Sequence, residues 1–176
     1  MLKGLIDFSW TLFLDRDGVI NKRVFGGYIT HVKDFEFNIG VLDFLQFAHL
    51  NFHRIIIVTN QQGVGKGIMS ENDLSDIHRY MISKVIENHG RIDKVYTATN
   101  LKNDQKNSRK PLPNMGYKAQ DDFPTIDFSK SVMIGDTNSD LLFGKNLGMK
   151  TVLVKSDEFI SESSDFQISN LTELIF

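Results

Sequence analysis

Apolar residues along this chain fall into two rhythms, short unbroken runs and longer stretches with helical spacing, and the two alternate. The run WTLFL at 10–14 stops at a charged, glycine-containing turn, as a strand buried on both faces does. RIIIVT at 54–59 is a β-branched run too short for a helix. KVYTAT at 94–99, SVMI at 131–134 and TVLV at 151–154 read as three further strands. Between them, Val41, Leu42, Phe44, Leu45 and Ala48 recur at helical spacing over 40–51. Leu74, Ile77, Met81, Ile82 and Val85 mark one face of a longer helix that Ser70 can cap. Short helices are predicted at 116–122 and 139–147, an unpatterned polar loop at 100–108, and a last strand and short helix within 166–176. FGGY at 25–28 and FEF at 35–37 predict a small hairpin.

Strands separated by helical segments predict an α/β fold, an open parallel Rossmann-like sheet with helices on both faces in a three-layer sandwich. No repeat, low-complexity tract or linker interrupts the pattern, and 176 residues fit one domain, 1–176. Ligands of such sheets bind beyond the carboxyl ends of the strands. Residues with chemistry to offer should therefore collect just after strands. They do: Asp15 and Asp17 follow the first strand, Thr59 and Asn60 end the second, Lys110 lies in the loop after the third, and Asp136 and Asp140 follow the fourth.

Composition narrows the classes. The chain is 41% hydrophobic and 24% charged, enough for a sizeable core under an ordinary polar surface. A formal net charge of -2 gives no global basic field for nucleic acid or an anionic membrane. With no cysteine there is no disulfide and no thiolate metal site, which is compatible with a reducing cytosol. Residues 1–10 lack the features of a signal peptide, and no apolar run approaches the ~20 residues of a membrane span. The expectation is a cytoplasmic protein with no nucleic-acid or membrane partner.

These residue types suit phosphoryl transfer. A carboxylate can be the nucleophile, forming an acyl-phosphate that water then hydrolyses. Two further oxygens beside it can hold Mg²⁺, which takes hard oxygen ligands. A hydroxyl and a lysine can bind the equatorial phosphoryl oxygens. Asp17 can protonate the leaving oxygen and later serve as base for water. Singly, each feature has an ordinary structural use: Asp-x-Asp-Gly as a turn, Gly-Asp before a helix as an N-cap, Thr59 as a strand end, Lys110 as a surface residue. Their joint occurrence at four strand ends points to a site.

Other features carry less. GVGKG at 63–67 fits neither a Walker loop nor G-x-G-x-x-G and predicts a tight turn into the next helix. His78 is expected to pack beside the apolar helix face and His31 to lie on the surface, while Phe25 or Tyr28 could cover the site. A phosphate-retaining receiver-like module is the non-enzymatic alternative. Its phosphorylated Asp would come from a mid-chain strand, whereas Asp15 follows the first.

FLDRDGVIN (13–21), VTNQQG (58–63), RKP (109–111) and IGDTNSD (134–140) resemble, in order, the four motifs of haloacid-dehalogenase (HAD) superfamily phosphatases, over about 12–155. The resemblance implies a HAD-like fold with Asp15 as nucleophile and Asp17 as acid/base. It implies Thr59 and Lys110 on the phosphoryl group, and Mg²⁺ held by Asp15, the Asp17 backbone carbonyl and Asp136. Asp140 would orient its loop. The intervals between motifs leave no room for a large cap domain, only a flap at about 22–37.

DRDGVIN, FEF, the TNQ turn and RKP further resemble the branch that contains heptose 1,7-bisphosphate and histidinol-phosphate phosphatases. That likeness implies a substrate contact from Arg109, and Asn60, at the end of the second strand, is a further candidate substrate-binding residue. Members of the branch usually carry a Cys/His zinc site before the third motif, but residues 97–108 contain neither residue, so no zinc is expected. The expected partner is a small phosphorylated metabolite, acted on by a monomer or small homo-oligomer. A sugar phosphate or bisphosphate such as D-glycero-D-manno-heptose 1,7-bisphosphate leads, and histidinol phosphate comes second. A polynucleotide 3′-phosphate comes third, because the chain shows no basic stripe or aromatic platform.

Overall fold

The computed structural model describes residues 4–105 and 107–175. The N-terminal expectation over residues 1–10 and the C-terminal one ending at 176 therefore fall partly outside the described residues. Six strands form one wholly parallel sheet: β1 (Thr11–Leu14), β2 (Arg54–Asn60), β3 (Lys94–Ala98), β4 (Ser131–Gly135), β5 (Lys150–Val154) and β6 (Phe166–Ile168). Their spatial order is β3-β2-β1-β4-β5-β6. The helices are α1 (Val41–Asn51), the single turn α2 (Gln62–Gly65), α3 (Glu71–Glu87), α4 (Asn114–Asp122) and α5 (Asn138–Leu147).

The side-chain alternation of the strands builds two cores. Leu12, Leu14, Ile55, Ile57, Val132 and Ile134 face α1 and α3, where Phe44, Leu45, Leu74, Ile77, Met81 and Val85 meet them. Phe13, Ile56, Val58 and Met133 face the opposite layer, against Met115 and Ala119 of α4 and Phe143 and Leu147 of α5. β1 and β4 are buried at every position, which is why their sequences are continuously apolar or small. In register, Leu14 lies between Ile57 and Ile134, so the residues just beyond them emerge side by side at one sheet edge. None of the described helices is long and apolar enough to cross a membrane.

Three local expectations change. The hairpin within 25–37 does not form; a single antiparallel bridge, Asn21 to Phe37, closes the base of that segment. Its second half is a 3-10 turn (Val32–Asp34), and Phe35 is drawn into the core against Phe37 and Tyr80 instead of pairing along a strand. The element after β6 is a 3-10 turn, Leu171–Leu174. GVGKG is not merely a turn: it contributes to α2 before Gly67, at φ 68°, releases the chain toward α3.

Ser70 caps α3 in a reciprocal box, accepting from the Asp73 N–H (3.1 Å) while Asp73 accepts from the Ser70 N–H (2.9 Å). Ser70→Ala should lower unfolding free energy by about 1 kcal/mol in urea titrations, with an unchanged denaturant slope.

Candidate active site

The site forms where β1, β2 and β4 end. Asp15 directly follows β1, and its N–H donates to the Ile134 carbonyl of β4 at 2.9 Å. Lys110 arrives from the loop after β3 and is buried. Its Nζ sits 2.6 Å from Asp15 Oδ1, 2.6 Å from Asp140 Oδ1 and 2.6 Å from the Val58 carbonyl. Asn60 fixes that approach. Asn60 Oδ1 accepts from the Lys110 N–H (2.9 Å), and Asn60 Nδ2 donates to the Lys110 carbonyl (3.2 Å).

Asp136 is fully buried and neither of its oxygens has a hydrogen-bond partner; the Arg23 guanidinium is 3.3 Å away. Asp15, Asp136 and Asp140 each place a carboxylate oxygen within 4.8 Å of the others. Asp140 is otherwise engaged. Besides Lys110, it accepts from the Thr137 N–H (3.0 Å) and hydroxyl (2.6 Å), as the N-terminal box of α5. Two glycines make room for this crowding. A Cβ on Gly18, which sits at φ 96°, would come within 2.0 Å of Asp136 Oδ2, and one on Gly135 within 2.1 Å of Asp140 Cβ.

Burial pushes the Asp15 carboxyl up to about 6, with Lys110 opposing and the neighbouring carboxylates adding. Asp136 is pushed up to about 8, again by burial first and then by Asp15 and Asp140. An anionic cluster that prefers protons to its own charge, with two buried oxygens that no hydrogen bond satisfies, fits a hard divalent cation.

Asp17 has the opposite environment. Burial raises it, but Arg16 and hydrogen bonds from Asn21, Arg16 and Gln61 outweigh that and hold it below the usual carboxylate range. Arg16 Nη2 reaches Asp17 Oδ1 at 2.8 Å and Oδ2 at 3.0 Å, Asn21 Nδ2 reaches Oδ1 at 2.9 Å, and Gln61 Nε2 reaches Oδ2 at 2.6 Å. Gln61 Nε2 also donates to Thr59 Oγ1 at 2.9 Å, leaving the Thr59 hydroxyl hydrogen free to donate elsewhere. Arg16 is itself fully buried and meets His78 Nε2 at 3.2 Å. Burial and then Arg16 push His78 down to about 3.

A cleft of about 140 Å³ opens over these groups, lined by Asp15, Asp17, Asn60, Lys110 and Asp140 together with Arg23, Tyr28 and Ser139. Thr59, Arg109 and Asp136 are not on its wall. Thr59 is fully buried, while Arg109 is half-buried with Nη1 unpartnered. Arg23, Gln61 and Arg16 were absent from the sequence-derived set. Arg23 offered one signal, a cation two residues past the first motif on the segment facing the site, and it pairs there with Glu158 at 2.9 Å.

A family model described as HAD-hydrolase-like matches residues 107–173. A D-glycero-alpha-D-manno-heptose-1,7-bisphosphate 7-phosphatase of Campylobacter jejuni is 34% identical over 166 residues, covering 93% of this chain and 92% of its own. A D-glycero-beta-D-manno-heptose-1,7-bisphosphate 7-phosphatase of Helicobacter pylori is 30% identical, covering 97% and 98%. A crystal structure of D,D-heptose 1,7-bisphosphate phosphatase from B. bronchiseptica, complexed with magnesium and phosphate, superposes with a TM-score of 0.85 at 21% identity over 94% and 96% of the two chains.

The raised carboxyls fix a pH dependence. Between an ordinary carboxylate value of about 4 and the native values of about 6 and 8, the native state of the metal-free protein holds more protons than the unfolded chain. That stability is fully present at acid pH and is lost as pH rises through these values. Melting temperatures in EDTA should therefore fall from pH 5 to pH 8, and added Mg²⁺ should flatten the slope. A rise over that range in EDTA would contradict the assignment.

Proposed function

The chain belongs to the HAD family of hydrolases, and from that membership we propose that it removes a phosphate from a heptose bisphosphate, with Asp15 as nucleophile and Asp17 as acid/base. The observation that carries the reading is the buried Asp136 carboxylate, hydrogen-bonded at neither oxygen and met only by the Arg23 guanidinium, within ligand reach of an Asp15 already held by Lys110. Asp17, held ionised by Arg16 in the free site, takes up a proton from solvent as the substrate binds. An Asp15 oxygen attacks phosphorus, the ester P–O bond breaks, and the departing sugar oxygen takes that proton from Asp17. Water then attacks the aspartyl-phosphate and yields its proton to Asp17. The acyl P–O bond breaks, and inorganic phosphate leaves a regenerated carboxylate.

Lys110 and Thr59 bind the phosphoryl oxygens in this reading, with Asn60 holding Lys110 in place. Mg²⁺ is the cation we assign to Asp15, Asp136 and the Asp17 carbonyl, where it would offset repulsion between nucleophile and phosphate dianion. Arg109, whose Nη1 is free, suits a second phosphate through its planar fork. The chain acts as one domain, with residues 22–37 as a flap that brings Arg23 and Tyr28 to the cleft. The reading puts enzyme and substrate together in the cytoplasm, since a bisphosphorylated sugar is too charged to cross a bilayer unaided.

Asp15→Asn should cut p-nitrophenyl phosphate hydrolysis by at least about 10³-fold, and EDTA should abolish turnover until Mg²⁺ is returned. Full activity in Asp15→Asn would sink the mechanism. Against a panel of both anomers of D-glycero-D-manno-heptose 1,7-bisphosphate, histidinol phosphate and a 3′-phosphorylated oligonucleotide, kcat/KM should favour a heptose anomer by at least about tenfold. Preference for either of the others would overturn the substrate.

A further inference from the structure

We propose that His78, acting through Arg16, is a positioning residue that holds the acid/base carboxylate Asp17 in place for the reaction. The inference rests on the acid/base reading of Asp17 above and adds a second tier behind it. Among the described residues Arg16 is the largest side chain that is fully buried, and a buried guanidinium must spend its donors on partners. Nε and Nη2 both turn to the adjacent Asp17, at 3.3, 2.8 and 3.0 Å. Nη1 goes to His78 Nε2 at 3.2 Å.

The direction of that last bond follows from chemistry. Guanidinium has donors only, so His78 Nε2 must accept, and the imidazole is neutral with its proton on Nδ1. His78 is carried by α3, whose Leu74, Ile77, Met81 and Val85 are sunk in the core beneath the sheet. The helix thus acts as a fixed platform, and the imidazole pins the far nitrogen of the guanidinium. With Nη1 anchored, the Nε–Nη2 edge is presented to Asp17 in one plane. Without it, the guanidinium can turn about its last torsions, leaving Asp17 with the neutral donors Asn21 and Gln61 alone. His78 is not on the cleft wall, and the hydrogen bond its Nε2 makes goes to Arg16, which in turn holds Asp17.

The test compares His78→Leu, which removes the acceptor, with His78→Gln, which offers another. Each is assayed in single turnover, which follows only phosphoryl transfer to Asp15, on an alkyl sugar phosphate and on p-nitrophenyl phosphate, whose leaving group departs without a proton. His78→Leu should lower the single-turnover rate of leaving-group release on the alkyl ester by about tenfold and on p-nitrophenyl phosphate by less than about threefold, with KM within about twofold. His78→Gln should recover most of the loss. Placed in an Asp17→Asn background, His78→Leu should cost less than about twofold more on p-nitrophenyl phosphate. Equal losses on the two substrates, a loss carried by KM, or an undiminished loss in the Asp17→Asn background would each overturn the proposal. If Asp17→Asn turnover falls below detection, the leaving-group contrast of the two single variants decides. An Asp17→Asn enzyme with full activity on the alkyl ester would instead overturn the acid/base reading itself.

Discussion

The buried ammonium of Lys110 is the interaction on which the site depends. Parallel strands that end side by side deliver Asp15, Asp136 and Asp140 to one small volume. Two unit charges about 5 Å apart repel by about 3 kcal/mol at an effective dielectric near 20. A cation is needed among them before any substrate arrives. Lys110 fills that need by touching Asp15 and Asp140 at once, and Asn60 grips its backbone from the end of β2. What Lys110 does not touch is Asp136, whose oxygens have no hydrogen-bond partner and face the Arg23 guanidinium instead.

A second consequence is a division of proton affinity within one turn of chain. Asp15 lies where burial outweighs its lysine, so its charge is disfavoured until a further cation comes. Asp17, two residues on, lies where a guanidinium and neutral donors outweigh burial. Two carboxylates of the same type thereby differ in proton affinity through their surroundings alone, and Asp17 rests ionised until substrate binding brings it a proton. Gly18 makes the separation possible, since only a residue tolerating φ near 96° and lacking a Cβ can turn the chain beneath Asp136.

Much of this was legible because parallel α/β sheets write their strands as apolar runs and their chemistry just after them. The five stronger strands, the Ser70 cap and the convergence of Asp15, Asp17, Asn60 and Lys110 on one cleft follow from that rule. What stayed hidden depends on three-dimensional packing. Phe35 reads as part of a hairpin, but a core position against Tyr80 outcompetes pairing. Arg16 sits inside the first motif, yet nothing local says that it is fully buried or that its partner lies on α3. Arg23 and Gln61 likewise acquire their roles only when the 22–37 segment and the turn after β2 fold over the strand ends. The assignment of Thr59 and Arg109 to substrate remains a matter of chemistry rather than exposure, since neither stands on the cleft wall.

The loop between β3 and α4 is stitched by its own side chains. Asp104 accepts from the Leu101 N–H, Asn107 spans from the Lys102 carbonyl to the Arg109 N–H, and the Ser108 hydroxyl donates to Asn100. Each stitch is a neutral or singly charged hydrogen bond worth on the order of 1 kcal/mol, and each can be lost alone. A loop tied by four metal ligands would come apart as a unit. This one can be redrawn a residue at a time, while Lys110, held separately by Asn60, stays where the chemistry requires it.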